Sequence, residues 1–384
     1  MYNIIDTEIE KGQRNDVPFL PIVSKNLSQY IAVPKATAIL FGGNSGTGKT
    51  AIADSTFVLE PFDYLKNNNL DVNLRWLYRS MERPTKYKLG KWLCYKIYKD
   101  HGILLDVPTL YNWANKKFEL TDELKDCFKT YEDYFNELKE YVTIIDGPVH
   151  PTGIFGDSKD FMNARGKIEQ VDKYNKIYIP NDPKEIVIQL TDHVGKIKSE
   201  RDPKTGIRLN DKQTLDLHSS YSKDVLRDFY EMVIVDISQL NRNNEDNLRQ
   251  LKTEFDIKPS DFKGSGNLYE DSDIVFGLLN PYKYKEFEFG GYDIKRFVTN
   301  RNYCRYRAMK ILKNSYGPDD LMFDYNFIGE SGVMRELPNP DAIRPFEYEM
   351  AQKAHHKNTL ASIDTFNLHK TDYLKYYETY KEIK

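Results

Sequence analysis

An α/β fold, with a mainly parallel sheet flanked by helices, is the class this sequence predicts, and three observations predict it. Short apolar runs alternate with helical stretches along most of the chain, the pattern of parallel strands joined by crossover helices. The cleanest runs, VTIID (142–146) and VIVD (233–236), each end in an acid. A further run, ATAILFGG (36–43), enters a glycine-rich turn with a helical pattern beyond it. The later strand candidates have few helices between them, so antiparallel strands are expected at one edge of the sheet.

Taken in order, residues 1–35 are polar and punctuated by Pro18, Pro21 and Pro34, and read as an arm or linker leading into the core. After the strand at 36–43, Lys49 to about Leu59 reads as a helix. LRWLYRSM (74–81) is the next strand, and Pro84 suits the first turn of a helix reaching about Lys99. Residues 105–140 read as two or three more helices, which makes about 84–140 a helical insertion. YVTIIDGP (141–148) is a strand ending in a turn, and the charged stretch 157–175 reads as a helix. EIVIQLTD (185–192) is a strand, 200–212 a polar loop, 214–230 a helix and 231–239 the most apolar strand. A helix at 245–255 precedes strands at 272–279, 294–300 and 321–328. The core is expected over 36–335, followed by a helical tail, 336–384, with helices near 341–357 and 371–383.

Composition narrows the function classes. Hydrophobic residues make up 40% and charged residues 29%, which excludes wholesale disorder. No apolar run approaches the roughly 18–20 residues a membrane helix needs. The N-terminus lacks the basic and apolar regions of a secretory signal. Cys94, Cys127 and Cys304 are scattered, which excludes a disulfide framework or a CxxC metal site and fits a cytoplasmic protein. A net charge of −3 excludes a generally basic nucleic-acid glove but leaves room for a local groove.

GNSGTGKT (43–50) carries the strongest signal, a complete G-x-x-x-x-G-K-[ST] phosphate loop between a strand and a helix. Gly43, Gly46 and Gly48 let backbone N–H groups turn inward, and Asn44, Ser45, Thr47 and Ala51 complete the cradle. Lys49 is expected on the β and γ phosphates and the Thr50 hydroxyl on Mg²⁺, so ATP and Mg²⁺ are the expected cofactors. Such a loop also needs an acid for the metal and a group to orient the attacking water. Glu82, Asp146, Asp192 and Asp236 all end strands, and periodicity does not choose among them.

The order of motifs resembles the ATPase domain of DnaB-type replicative helicases, which have the RecA fold. The matching pieces are FGGNSGTGKTAIAD (41–54), YRSMERP (78–84), IIDGPVHPT (144–152), VIQLTDHVGKI (187–197), VDISQLNR (235–242), DFKGSGNLYEDSDIVFGL (261–278) and TNRN (299–302). The resemblance implies Glu82 as the base that activates water, Asp192 as the metal-holding carboxylate and Gln239 as the sensor of the γ-phosphate. It makes Asp146 a structural or coupling acid and leaves Asp236 structural. Arg301 becomes a finger reaching the neighbouring subunit's nucleotide, with Arg305 and Arg307 near enough to substitute. Thr299 stands where the family usually has a lysine.

Lys263, Gly264, Ser265 and Gly266, with Arg242, correspond to the family's single-stranded DNA contacts in the channel of a hexameric ring. Residues 241–263 hold five basic and five acidic side chains, so charge alone would not suggest DNA there. The loop 198–212 is a second candidate contact, more simply read as solvated. The tyrosines at 373, 376, 377 and 380 form a helical stripe that would dock the tail on its own core or on a neighbour. About 35 residues precede the core, fewer than the family's N-terminal domain needs, so a short phage-type form in a bacterial host cytoplasm is expected. The partners implied are single-stranded DNA, further copies of the chain, and a primase or loader. Two other readings stay open: a RecA-like DNA-dependent ATPase without unwinding, and a nucleotide-binding structural or packaging protein.

Overall fold

The computed structural model describes residues 2–14, 17–68, 70–113, 122–202, 205–241, 256–262, 266–299 and 302–343. The strands among them are β1 Ala38–Gly43, β2 Asn73–Ser80, β3 Val142–Asp146, β4 Gly166–Gln170, β5 Lys176–Pro180, β6 Glu185–Asp192 and β7 Val233–Gln239. They continue with β8 Ile274–Leu279, β9 Glu288–Phe289, β10 Tyr292–Asp293, β11 Tyr306–Asn314, β12 Met322–Ile328 and β13 Val333–Glu336. Nine form one sheet in the order β13-β12-β11-β8-β1-β7-β6-β2-β3. From β8 to β3 every pairing is parallel. β11, β12 and β13 add antiparallel strands at one edge, as expected.

Burial follows position in the sheet. β1 and β8 lie inside it and are buried along their whole length, so their sequences, AILFGG and IVFGLL, are uninterrupted apolar runs. β3 lies at the edge and is half-exposed. On one face Phe41 of β1 and Phe276 of β8 pack with Phe57, their ring centroids 5.9–6.4 Å apart. On the other face Leu40, Leu240, Phe262, Val275, Phe297 and Tyr306 form a second cluster.

Between β2 and β3 run the helices Thr85–His101, Val107–Leu110, Asp122–Lys129 and Glu132–Tyr141. Cys94, Ile97, Leu105, Val107, Leu124 and Tyr131 give this insertion a small core of its own. The segment from 17 to 35 sends Leu20, Leu27, Ile31 and Val33 into the principal core. The Glu336 carboxylate fixes it by accepting from the backbone N–H groups of Asn26 (3.0 Å) and Leu27 (3.2 Å) and from the Ser24 hydroxyl.

Two expected elements differ from those found. The helix expected over 157–175 is Pro151–Asn163, with Pro151 in its first turn and the His150 ring accepting from the Gly153 N–H. It is followed by the β4–β5 hairpin. Asp172 makes that hairpin's turn, accepting from the N–H groups of Tyr174 (2.7 Å) and Asn175 (2.8 Å). The strand expected over 294–300 is a 3₁₀ turn, Ile294–Phe297, started by the Asp293 carboxylate on the Lys295 N–H. The sheet strand of this region is β11, where Arg307, Lys310 and Lys313 break the apolar pattern. The helices expected at 245–255 and 371–383, and all but the start of 341–357, lie outside the described residues.

Phe276 fills the space between Phe41 and Phe57 under the central strands. Phe276→Ala is expected to lower unfolding stability by about 3–5 kcal/mol, read from chemical denaturation.

Candidate active site

β1 ends at Gly43, and the loop 43–50 closes over it. Gly48 has φ of 98°, and a side chain there would also collide with the Phe327 ring of β12. The Thr47 hydroxyl donates to the Asn44 carbonyl at 2.8 Å, and Lys49 Nζ reaches the same oxygen at 3.1 Å. The Asn44 amide donates to the Tyr284 hydroxyl. Arg307 of β11 braces the loop from behind. It is buried, and its Nε donates to the Thr47 carbonyl at 2.7 Å, with further bonds to the carbonyls of Cys304 and Tyr306. Burial pushes the Lys49 ammonium down to about 8, against the raising influence of Glu82 and Asp192.

The four strand-end acids have distinct surroundings. The Thr50 hydroxyl donates to Asp192 Oδ1 at 2.9 Å, so two oxygens stand side by side next to Lys49. Glu82 follows β2, with its side chain about 45% exposed and Oε2 3.6 Å from His193 Nε2. His193 Nδ1 accepts from the Gly195 N–H, which leaves the ring proton on Nε2, and burial lowers its affinity for a second one. Asp146 instead accepts from the Thr85 N–H (3.0 Å) and hydroxyl (2.7 Å), capping the helix after Glu82. Asp236 is buried against His218 at 3.0 Å.

Glu82, Lys49, Thr50, Asp192, His193 and Gln239 line one cleft of about 670 Å³, together with Ser45, Gly46, Gly48 and Ala51. Gln239 ends β7, and the register sets it directly beside Gly43. Beyond it the Asn241 N–H donates to the Asp261 carbonyl at 2.9 Å, so the two ends of the segment between them meet. Phe262 packs so tightly on β1 that any side chain at Gly42 would strike its ring.

Arg242, Lys263, Gly264, Ser265 and Arg301 lie outside the described residues, whereas Gly266 opens the helix Gly266–Asp271. The substitution of Arg305 or Arg307 for a finger is corrected by the structure. Arg305 is buried 3.7 Å from Glu330, and Arg307 is spent on its own chain's phosphate loop. Burial pushes both guanidinium groups down to about 10. In the 198–212 loop, a bridge between Arg201 and Arg208 and the Asp202 carboxylate on the Thr205 N–H make a closed turn.

The residues present fit magnesium bound with a triphosphate. Thr50 and Asp192 offer two hard oxygens, which suits an ion that completes its shell from phosphates and water. Among the described residues, no three His, Cys, Asp or Glu side chains gather into a metal site. No helix among them is long and apolar enough to cross a membrane. Sequence reasoning missed Lys88, Asp54, Arg307 and Phe327, all of which line the cleft. The spacing of Thr50 and Asp54, one helical turn apart, was an available signal. A buried strand arginine such as Arg307 offers none.

Because the Lys49 ammonium titrates near 8, nucleotide affinity should be level below that pH and fall above it. The expected slope approaches about tenfold per pH unit, read from titrations of a fluorescent nucleotide between pH 7 and 9.5.

No protein-family model matches the sequence, and no curated protein does. Among solved structures, the ATPase domain of a DnaB-type helicase is similar with a TM-score of 0.61 and 18% identity, over 88% of this chain and 98% of that one. A KaiC-like protein of the hyperthermophilic archaeon Pyrococcus horikoshii aligns at TM-score 0.43 and 12% identity, over 84% of this chain and all (100%) of that one. The RadB recombinase aligns at 0.40 and 9%, over 83% and 100%. The chain has the RecA-like fold, shared with that helicase ATPase domain.

Proposed function

We propose that this chain is the ATP-hydrolysing motor of a ring-forming translocase on single-stranded DNA, a helicase of the DnaB type. One observation carries the reading: Lys49, the Thr50–Asp192 oxygen pair, Glu82 and Gln239 converge on one cleft from four different strand ends. The sequence resemblance, which assigns a role to each of these residues, supports it.

In this mechanism Lys49 and the backbone N–H groups of 43–50 hold the phosphates, and Thr50 and Asp192 hold Mg²⁺. The bound metal supplies charge neutralisation on the triphosphate. Glu82 accepts the proton of the attacking water at a carboxylate oxygen. Its partly exposed position keeps it accessible to that water, and the neutral His193 ring limits where the carboxylate can turn. Gln239, at the end of β7, is the polar group through which a change at the terminal phosphate reaches Asn241, Asp261 and the candidate DNA segment 262–266. Arg301 enters from the neighbouring subunit, so the complete site needs at least two copies. A hexamer, and a primase or loader as partner, belong to the same reading.

Steady-state ATP hydrolysis with and without single-stranded DNA tests the proposal. Strong stimulation is expected, and Glu82→Gln should lose about 10²–10⁴-fold in turnover while still binding nucleotide. Turnover indifferent to DNA would overturn the motor reading, and a strand-displacement assay separates unwinding from translocation alone. Arg301→Ala should lose about 10³–10⁵-fold in rate with nucleotide binding kept. Mixing it with Lys49→Ala subunits should restore part of the activity, because each mixed interface can hold one intact site. Absence of any recovery would argue against a finger acting in trans.

A further inference from the structure

Lys88 lies on the helix Thr85–His101, one turn beyond its start, and is 2% exposed. Its ammonium sits between two buried carboxylates, 3.3 Å from Asp54 Oδ2 and 3.3 Å from Asp192 Oδ2. It also donates to the Tyr78 hydroxyl and lies 4.1 Å from the centre of the Tyr78 ring. Asp54 has other donors, the Tyr78 hydroxyl at 2.6 Å and Trp92 Nε1 at 2.9 Å. Asp192 is placed differently. Its Oδ1 takes the Thr50 hydroxyl at 2.9 Å, and Lys88 is the cation on its Oδ2, with the Tyr78 oxygen farther off at 3.5 Å.

We infer that Lys88 is a positioning residue for the metal: it pins the second oxygen of Asp192 so that the first faces Thr50 and the phosphate loop. The inference rests on the reading of Thr50 and Asp192 as the magnesium pair. A free carboxylate rotates about its Cβ–Cγ bond and presents either oxygen. Asp192, held at Oδ1 by a hydroxyl and at Oδ2 by an ammonium, has one orientation. Lys88 also keeps two buried carboxylates from facing each other uncompensated. Asp54 holds the lysine in turn, and as it lies one helical turn after Thr50, a single helix carries both the hydroxyl and the anchor.

The test is the gain in affinity for a fluorescent ATP analogue that Mg²⁺ confers, measured as the ratio of dissociation constants in EDTA and in Mg²⁺. Removing Lys88 alone would strand two buried acids, so the variant is Asp54→Asn with Lys88→Met, its folding checked by a thermal melt. That chain should lose about 10–100-fold of the magnesium gain while its metal-free affinity stays at the wild-type value. Asp54→Asn alone leaves the ammonium on Asp192 and should keep the gain. A purely structural role for the cluster predicts no such difference between the two variants. An unchanged ratio in the double variant, or a ratio already lost in Asp54→Asn, overturns the proposal and leaves the nucleotide site standing. An unsubstituted chain that bound no nucleotide would overturn both.

Discussion

The parallel register of β1 with its neighbours is the constraint on which the rest depends. Gly43 lies between Gln239 of β7 and Leu278 of β8, and Ser80 of β2 lies between Asp192 of β6 and Asp146 of β3. The C-terminal ends of five strands therefore open on one edge, and every polar group of the cleft on this side of the sheet is delivered there by the chain leaving a strand. A parallel strand needs a long crossover to return, so residues as distant as Lys49, Glu82, Asp192 and Gln239 meet only because hydrogen-bond register aligns them. The apolar faces on either side fix that register, since a slip by one residue would turn Phe41 and Phe276 out of their cluster.

The antiparallel strands have a different part. They supply no strand-end acid to the cleft, yet they hold the phosphate loop in shape. Arg307 anchors the Thr47 carbonyl, Phe327 covers Gly48, and Lys91 donates to the carbonyls of Gly329 and Glu330 where β12 turns into β13. An apolar loop support would leave the Thr47 carbonyl without this donor, which helps explain a guanidinium buried at such desolvation cost.

Much of this was legible in the sequence. The phosphate loop, the parallel strands and the antiparallel edge follow from apolar run length and glycine placement, because buried parallel strands leave an uninterrupted signature. The four strand-end acids were also visible, but their different surroundings were not. Asp146 and Glu82 end neighbouring segments in similar local sequence, and only the three-dimensional course of the chain gives one to Thr85 and the other to the cleft. Lys88 and Arg307 could not be read, since a charged residue in an amphipathic pattern looks solvated. Asp172 and Asp293 were misread because a side-chain hydrogen bond to the local backbone replaces a helix or strand where composition favours one.

The Glu336 carboxylate, which ties β13 to the backbone at Asn26 and Leu27, has a bearing on where this chain can be divided. The strand that ends the sheet and the stretch that precedes β1 close the same side of the core, 310 residues apart in sequence. A fragment begun at the first strand would keep every cleft residue yet lose the buried Leu20, Leu27, Ile31 and Val33, and would leave a carboxylate facing an empty seam. The smallest unit that folds as this protein does is therefore set by that seam, and extends well ahead of the first residue that touches the cleft.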